Sequence, residues 1–244
     1  MTSRVLAVLG AFDADHPRLS LSDIARRSGL PLSTVHRLVG ELESGQALSR
    51  AADGRFRIGL RLWELGRLAP SLLQDVAHPW LQELFGSTGE NVHLAVRDGL
   101  EVLYVDKVYG RHAVPIVSRA GGRLPMHPTG VGKVLLAHEQ EWFVSAYLAR
   151  SLERPTPHTI TEPGRLSREL AAVRAQGYAL TSEEMTLGSC SVAAPILLEG
   201  RAVAAVGIVV SSRRARDLQR LIDPVRAVAG QITRSYARSH ADRR

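Results

Sequence analysis

The sequence predicts an α+β protein with an N-terminal winged helix-turn-helix domain, a linker helix and a C-terminal α+β domain with a mixed or antiparallel sheet. Three observations lead to this prediction. Residues 21–44 carry two helical patterns separated by a tight turn, residues 47–58 alternate around an Asp-Gly pair, and strand and helix patterns alternate from residue 91 onward. Such mixed order is typical of a sheet with helices on one face. We place the domains at residues 1–59 and 76–244, with the linker at 60–75.

The first helix of the N-terminal domain is predicted from Arg4 to Phe12, because apolar residues recur there at helical spacing. The stretch from Asp13 to Pro17 interrupts this pattern and ends the helix. Its apolar face consists of Val5, Leu6, Val8, Leu9 and Phe12. We expect this helix to complete a three-helix core with the two helices that follow.

The second helix is expected from about Ser22, which can serve as its N-cap, to Ser28. Gly29 can adopt the left-handed conformation that ends a helix. Arg26 and Arg27 point outward, where they are available to phosphates.

The third helix begins near Pro31, a residue that suits the first turn of a helix. Its apolar side is formed by Val35, Leu38, Val39 and Leu42. This arrangement leaves four polar residues exposed in the first turns: Ser33, Thr34, His36 and Arg37. A helix docked in a DNA major groove presents that part of its surface to base edges. The alternative is a helical hairpin with a solvated polar face.

Two short alternating runs, residues 47–50 and 55–58, flank Asp53-Gly54, a strong signal for a hairpin turn. A hairpin directly after the third helix makes a winged helix-turn-helix. The wing would carry Arg50, Arg55 and Arg57, and arginines in such a position can contact phosphates or a narrow minor groove.

The charge of the chain is concentrated at its two ends. The net charge is +7 and the pI about 10.3, which favours a polyanionic partner. Residues 1–69 contain ten arginines against seven acidic residues, residues 70–212 twelve basic against fourteen acidic residues, and residues 213–244 nine arginines against three. The middle of the chain is therefore not a nucleic-acid surface. For the last segment, a solvated helix face is the simpler interpretation.

Composition also indicates the kind of protein and the cellular compartment to expect. A hydrophobic content of 45% in 244 residues supports folded cores. The single Cys190 excludes an internal disulfide and fits a reducing compartment. The sequence holds no apolar run near the roughly 18 residues of a membrane span. We therefore expect a soluble, cytoplasmic protein without a membrane partner.

A helical pattern over residues 60–73 is the predicted linker, and Pro70 kinks it or splits it in two. Its apolar stripe consists of Leu62, Trp63, Leu65, Leu68 and Leu72. The stripe either joins two copies of the chain or covers only its own domain. Residues 79–85 continue as a helix into the second domain.

The second domain alternates strands and helices. The predicted strands are 91–97 and 101–106 around Asp98-Gly99, then 112–118, then 191–198 and 202–210 around Glu199-Gly200. The predicted helices are 130–137, 141–148, 166–175 ended by Gln176-Gly177, and about 215–238.

The run Arg123–Lys133, R-L-P-M-H-P-T-G-V-G-K, is the most distinctive part of this domain. Thr129 can cap the helix that follows. Glycines there let a ligand approach the backbone, and free N–H groups at a helix start attract anions. A nucleotide-binding P-loop is excluded, because His127 stands where it needs glycine and Val134 where it needs Ser or Thr. A structural cap without a ligand is the alternative.

Catalysis finds little support in the sequence. The nine histidines show no His-Glu-x-x-His spacing, and one cysteine cannot form a Cys-x-x-Cys pair. Ser189-Cys190-Ser191 lacks the flanking glycines of a nucleophile elbow. Glu183 and Glu184, if they lie in a strand, point to opposite faces. We therefore predict no enzyme activity, no metal and no cofactor.

Four stretches together resemble the IclR family of bacterial transcriptional regulators. They are Leu21–Leu38, Arg123–Lys133, Gly177–Glu184 and Ser191–Ile196, in family order and spacing. The resemblance covers nearly the whole chain and implies an effector pocket between the glycine-rich helix start and the sheet. Carried over by motif, its lining is Gly130, Val131, Thr181, Ser191, Gly207 and Val209, with Leu124 and Ile116 as apolar neighbours.

Family members that bind small oxo-acids have more polar pockets. They carry an acidic residue at the position of Thr181, cysteine at that of Ser191, and serines at those of Gly207 and Val209. Cys190 lies one place before the usual cysteine and is not assigned to the pocket. A pocket with fewer polar side chains suits a larger, flatter ligand, so we expect an aromatic acid or related aromatic compound.

The sequence thus predicts a ligand-responsive DNA-binding regulator, by default the repressor of a catabolic operon. Its partners would be a small organic effector and a pseudo-palindromic double-stranded operator, bound by a homodimer or a dimer of dimers. The alternatives are a small-molecule sensor whose winged helix contacts protein, and an enzyme with an accessory DNA module.

Overall fold

The structure is a computed structural model in which residues 1–13, 15–66, 72–110 and 121–241 are described. The chain separates into two compact units, residues 1–71 and 72–244. The predicted strand at 112–118, and Leu68 and Pro70 of the predicted linker, lie outside the described residues.

The first unit contains three helices, a two-stranded hairpin and a further short helix in its described part. These are α1 (Thr2–Leu9), α2 (Leu21–Ser28), α3 (Leu32–Ser44), β1 (Leu48–Arg50), β2 (Phe56–Ile58) and α4 (Leu60–Gly66). Its core is one cluster that includes Val8, Ile24, Val35, Leu38 and Phe56. The three-helix core and the wing are therefore present as predicted.

Two sequence predictions for α1 and α2 were wrong in detail. Leu6 was assigned to the core, but it is 63% exposed, because it lies two residues from Val8 and so on the far side of the helix. The N-cap of α2 is Ser20 and not Ser22. Ser20 accepts the amide of Asp23, whose carboxylate accepts the amide of Ser20 in return, which makes a capping box.

The wing is an antiparallel pair in which Ser49 faces Arg57 and Arg50 faces Phe56. Its inner edge is extended by Leu19, whose amide and carbonyl both bond to the backbone of Phe56. Sequence reasoning did not predict this third segment. It fixes the wing to the chain just before α2 and so holds hairpin and helices as one unit.

The predicted linker helix at 60–73 is described over α4, Leu60–Gly66, and the second unit begins with α5 (Leu72–Thr88), which starts inside the predicted linker and contains Pro79. The side chains of α4 are largely exposed within the first unit, with Leu60 77% and Trp63 59% exposed. Among the described residues, none of α4 is buried.

The second unit is built on a six-stranded sheet in which every pair of neighbours is antiparallel, in the order β5-β4-β3-β8-β7-β6. Its strands are β3 (Asn91–Asp98), β4 (Glu101–Val108), β5 (Arg123–Pro125), β6 (Ala179–Ser182), β7 (Ser189–Leu198) and β8 (Arg201–Ser211). Both predicted hairpins are confirmed, and the β7–β8 turn places Glu199 and Gly200 at positive φ. The strands β5 and β6 were not predicted.

Helices cover both faces of the sheet, so the expectation of helices on one face was wrong. The helices are α6 (Gly130–Ala137), α7 (Glu141–Leu148), α8 (Pro163–Gln176) and α9 (Leu218–Ala241), the last preceded by a 3₁₀ turn at Ser212–Asp217. One core cluster joins α5 and α9 to one face, and a second joins α6, α7 and α8 to the other. Along β7, Val192 faces the first cluster and Ala193 the second, and both are fully buried. Within the described part of the chain, no helix is long and apolar enough to cross a membrane.

Candidate functional site

The third helix presents its predicted polar surface. Val35, Leu38 and Val39 are buried, which turns the opposite side of the helix outward. Ser33, His36 and Arg37 are exposed, and Thr34 is half-buried. Arg37 pairs with Glu41 one turn later, an exposed contact of the kind that contributes little to stability and exchanges readily for another anion.

The two arginines of α2 differ in their surroundings. Arg26 makes only an exposed ion pair with Asp23 at 2.6 Å. Arg27 donates from Nε to the carbonyl oxygen of Ala11 at 2.6 Å and pairs with Asp13. Arg27 therefore fixes α2 to the segment after α1, and its predicted contact with phosphates stays a prediction.

The three wing arginines lie on different sides of the hairpin. Arg57 is exposed and donates from Nε to Ser49 Oγ at 3.0 Å, on the face away from the core. Arg55 is also exposed. Arg50 shares a face with Phe56, and its guanidinium carbon lies 5.4 Å from the centroid of that ring. The wing thus offers Arg55 and Arg57 directly to solvent, while Arg50 folds over the hairpin.

In the second unit, a small cavity lies where α6 begins. Thr129 caps this helix as predicted, because its hydroxyl accepts the amide of Gly132 at 3.2 Å. The first amides of a helix, here those of Gly130 and Val131, have no partner within the helix. Gly130 and Val131 both line the cavity, so the N-terminus of α6 and the positive end of its dipole border it.

The cavity has a volume of about 50 Å³. It brings together seven of the eight predicted effector-binding residues: Leu124, Gly130, Val131, Thr181, Ser191, Gly207 and Val209. The eighth, Ile116, lies outside the described residues. Cys190, which was not assigned to the pocket, is also part of the cavity lining, although its side chain packs in the core cluster on the other face of the sheet.

Two glycines allow α6 to lie close to the sheet here. A Cβ on Gly130 would stand 2.6 Å from the hydroxyl of Ser191, and one on Gly207 would stand 3.0 Å from the side chain of Val131. Ser191 also shares a 2.5 Å hydrogen bond with Thr181 across β6 and β7. The helix start and a pair of hydroxyl groups therefore meet at one end of the cavity.

His93 and Tyr104 are among the lining residues that sequence reasoning missed. Their rings meet edge to face with centroids 5.5 Å apart. Burial lowers the pKa of His93 to about 3 and raises that of Tyr104, so both are neutral near pH 7. The available signal was a histidine inside the apolar run of β3, directly opposite Gly207 in the sheet.

The described lining of the cavity contains no carboxylate, ammonium or guanidinium group. An anion bound there would be held by backbone amides and neutral hydroxyl and ring groups. In the ranges that the structure describes, no cluster of three His, Cys, Asp or Glu side chains could hold a metal ion.

A winged helix-turn-helix unit and a separate sheet unit with an internal cavity define a class of protein, the transcriptional regulators that respond to small molecules. Comparison with known proteins gives the family. Residues 2–51 match the IclR helix-turn-helix domain, and residues 68–234 match the bacterial transcriptional regulator IclR C-terminal domain. The chain belongs to the IclR family, which confirms the resemblance seen in its motifs.

Relatives in this family are named as regulators of transcription. The chain is 36% identical over 225 residues to the HTH-type transcriptional regulator XynR of Escherichia coli, covering 88% of each chain. It is 33% identical to the transcriptional repressor IclR of the same organism, covering 82% of this chain and 75% of that one. It resembles an IclR homolog from Microbacterium hydrocarbonoxydans, solved in complex with 4-hydroxybenzoate, with a TM-score of 0.93 and 33% identity over 98% of this chain and 99% of that one.

Proposed function

We propose that this protein is a repressor whose second unit binds an aromatic monocarboxylic acid and thereby changes the affinity of the first unit for its operator. The observation that carries the proposal is the composition of the cavity at the start of α6. It combines one anion-binding end with otherwise neutral and apolar walls, and ligand sites are typically mostly apolar with a few placed polar groups.

The anion-binding end consists of the free amides of Gly130 and Val131 together with the hydroxyls of Thr181 and Ser191. Backbone N–H groups at a helix start suit a carboxylate, because they donate hydrogen bonds along the positive end of the helix dipole. The absence of a charged side chain in the described lining favours a ligand with a single negative charge. A second carboxylate would lose its hydration without gaining a cation in this part of the site.

The rest of the lining suits an aromatic ring. Val131, Leu124 and Val209 supply apolar surface, while His93 and Tyr104 supply ring faces and edges. The 4-hydroxybenzoate complex of the Microbacterium protein supports the same ligand class, because that chain shares nearly the whole fold.

Titration calorimetry tests this proposal. We expect benzoate and 4-hydroxybenzoate to bind, and glyoxylate and benzamide to bind at least about tenfold more weakly, since the first lacks the ring and the second the charge. Tight binding of glyoxylate alone would show that the cavity selects small oxo-acids, and the aromatic assignment would then be withdrawn.

The DNA contacts follow from the first unit. We propose that Ser33, Thr34, His36 and Arg37 contact base edges in the major groove. The phosphates would be held by Arg26, Arg50, Arg55 and Arg57. One such unit makes too few contacts to select a genomic site, so we propose that two copies, associated through the exposed apolar residues of α4, bind a pseudo-palindrome. A ligand then acts by favouring one arrangement of the two DNA-binding units over another.

A further inference from the structure

Lys133 is fully buried and is bonded to carboxylates from two different elements. It lies on α6, three residues after the glycine that begins this helix. Its ammonium donates to Glu184 at 2.6 Å and also to Glu169 of α8. Burying an ammonium group is expensive and is offset only by close, well-aligned partners, so this cluster holds its three elements in one arrangement.

Glu184 depends on Lys133 more than Glu169 does. Burial raises the pKa of Glu184, and its second carboxylate oxygen has no hydrogen-bond partner among the described residues. Glu169 is partly exposed, with 26% of its side chain accessible, so water can solvate it. Without Lys133, only Glu184 would remain as a buried and unpaired carboxyl group.

Glu184 begins a short rim that connects β6 to β7. The next two residues, Met185 and Thr186, line the effector cavity, whereas the cavity lining includes neither Lys133 nor Glu184 themselves. The rim, residues 184–187, is bracketed by Glu183 and Gly188, both at positive φ. The cluster therefore lies outside the cavity lining and is connected to it through the rim and through the first turn of α6.

Three other hydrogen bonds hold the ends of the rim. The hydroxyl of Thr159 donates to the carbonyl oxygen of Glu184 at 2.6 Å, and that of Thr156 donates to the carbonyl oxygen of Glu183 at 2.7 Å. The carboxylate of Glu183 accepts the amide of Gly188 at 2.6 Å. Each of these bonds involves backbone at the rim's ends, so Lys133 is the anchor that acts on a rim side chain.

The cavity is small for the aromatic ligand proposed above. A cavity of about 50 Å³ is smaller than the roughly 150 Å³ that accommodates benzene in an engineered protein core. The strands of the sheet are held by backbone hydrogen bonds, and every residue of α6 is buried. The rim lies between two strands and includes the exposed Leu187, so we expect it to be the part of the wall that yields to a ligand.

We infer that Lys133 is a positioning residue for the effector site: through Glu184 it sets where Met185 and Thr186 stand against the anion-binding start of α6. The effector class in this statement rests on the proposed function above. The claim that Lys133 positions the rim does not rest on the proposed function, because it concerns contacts within the unliganded protein.

Hydrogen exchange of the full chain without ligand tests the inference. The variant Glu184→Gln removes the charge that Lys133 holds on the rim, and Glu169→Gln, which removes the other carboxylate of the cluster, is its matched control. We expect the amides of Gly188 and Ser189 to exchange about tenfold faster in Glu184→Gln and to be unchanged in Glu169→Gln. Equal exchange at the rim in both variants and the wild type would overturn the inference.

Binding of 4-hydroxybenzoate by calorimetry is the second measurement. We expect about tenfold weaker binding by Glu184→Gln and less than about twofold weakening by Glu169→Gln. Should Glu184→Gln fail to fold, Glu184→Asp, which keeps the carboxylate but draws it back from Lys133, should give the same faster exchange. If the wild type binds no aromatic acid, the proposed effector is wrong, while the exchange result still decides the role of Lys133.

Discussion

At the scale of single residues, DNA recognition depends on side chains that contribute little to the fold. Arg37 is exposed and paired only with Glu41, so its removal should leave the first unit folded. We expect Arg37→Ala to weaken operator binding by about 1–3 kcal/mol, the discrimination that one arginine–guanine contact provides. A gel-shift titration measures this loss.

The control for Arg37 is Arg168→Ala, an exposed arginine on α8 in the other unit. It should bind the operator like the wild type, and both variants should bind the effector normally. If Arg37→Ala and Arg168→Ala bound the operator equally well, Arg37 would not contact a base.

Gly130 is required because its Cα approaches the sheet closely. A methyl group at this position would meet the hydroxyl of Ser191 at 2.6 Å, so we expect Gly130→Ala to cost about 1–3 kcal/mol of stability and to weaken effector binding. Adding Ser191→Ala should restore part of the stability, since it removes the atom that clashes. Urea denaturation of the single and double variants measures both effects.

Gly164 provides the matched control for that experiment. It lies near the start of α8, and a Cβ there would meet no atom within 4 Å. Gly164→Ala should therefore be neutral, or stabilising by up to about 1 kcal/mol from helix propensity. A Gly130→Ala variant as stable as Gly164→Ala would contradict the close approach of α6 and the sheet.

Burial of His93 predicts how stability depends on pH. Its pKa is about 3 in the folded protein against an ordinary value of 6.5, so between these values the unfolded chain binds the additional proton. Stability should therefore be complete above about pH 6.5 and fall by up to about 1.4 kcal/mol per pH unit below it. Burial also lowers the pKa of His127, which acts in the same direction, whereas the raised pKa of Glu184 acts against it.

Urea denaturation between pH 7 and pH 5 measures this dependence, and His93→Gln is the informative variant. In the variant, the unfolded chain should bind about one proton fewer relative to the folded protein. The slope of the free energy of unfolding against pH should therefore decrease by about 1.4 kcal/mol per pH unit, whatever the variant's absolute stability. An unchanged slope would mean that His93 already titrates normally in the folded protein.

At the scale of elements, the sequence predicted those with strong local signals and missed those without them. The bounds of α6 and α7 agree with prediction, and Thr129 marks the start of α6 as its N-cap. The strands β5 and β6 have only three and four residues, too few to show an alternating pattern. The cap of α2 was misplaced because two serines stand near its start, and only Ser20 has an acidic residue three places on.

The covering of both sheet faces was not predictable from alternation. Neighbouring residues on β7 and β8, such as Ala205 and Val206, are both buried, so the strand shows a continuous apolar run instead of a period of two. The resemblance to family motifs predicted seven of the residues that line the cavity. His93 and Tyr104 were missed because they lie on strands far from any of these motifs. Only the register of the sheet brings them to the same place.

The exposed apolar surface of α4 leads to a prediction about self-association. Leu60 is 77% exposed within its unit, and a second copy of the chain can bury it. We expect Leu60→Glu to weaken self-association at least about tenfold, because each copy loses about 1.5–3 kcal/mol of apolar burial and gains a charge. Sedimentation velocity measures association, and operator affinity should fall in parallel.

Trp142→Gln serves as the control, since Trp142 is 68% exposed but lies on α7 in the second unit. It should leave the dimer unchanged. If Leu60→Glu stayed dimeric at the concentration where the wild type does, the apolar stripe of α4 would not be the dimer contact.

At the scale of the whole molecule, the distribution of charge separates DNA binding from a contact with another protein. A regulator that neutralises phosphates releases counterions, so its affinity falls steeply as salt rises. Four arginines in each of two copies give roughly eight phosphate contacts, and hence a slope of about −7 for log K against log salt concentration. Between 50 and 200 mM salt, operator affinity should fall by about 10⁴.

Variants of the wing arginines test which residues cause the salt dependence. Replacing Arg55 and Arg57 by glutamine removes two of the proposed contacts from each copy, so the slope should become shallower by about 4. The matched variant Arg165→Gln/Arg168→Gln removes the same charge from the exposed side of α8 and should keep the full slope. Fluorescence anisotropy of a labelled operator at several salt concentrations gives all three slopes.

Equal slopes for the two variants would mean that net charge alone, and not the wing, holds the DNA. A slope near zero in the wild type would favour a winged helix that contacts protein.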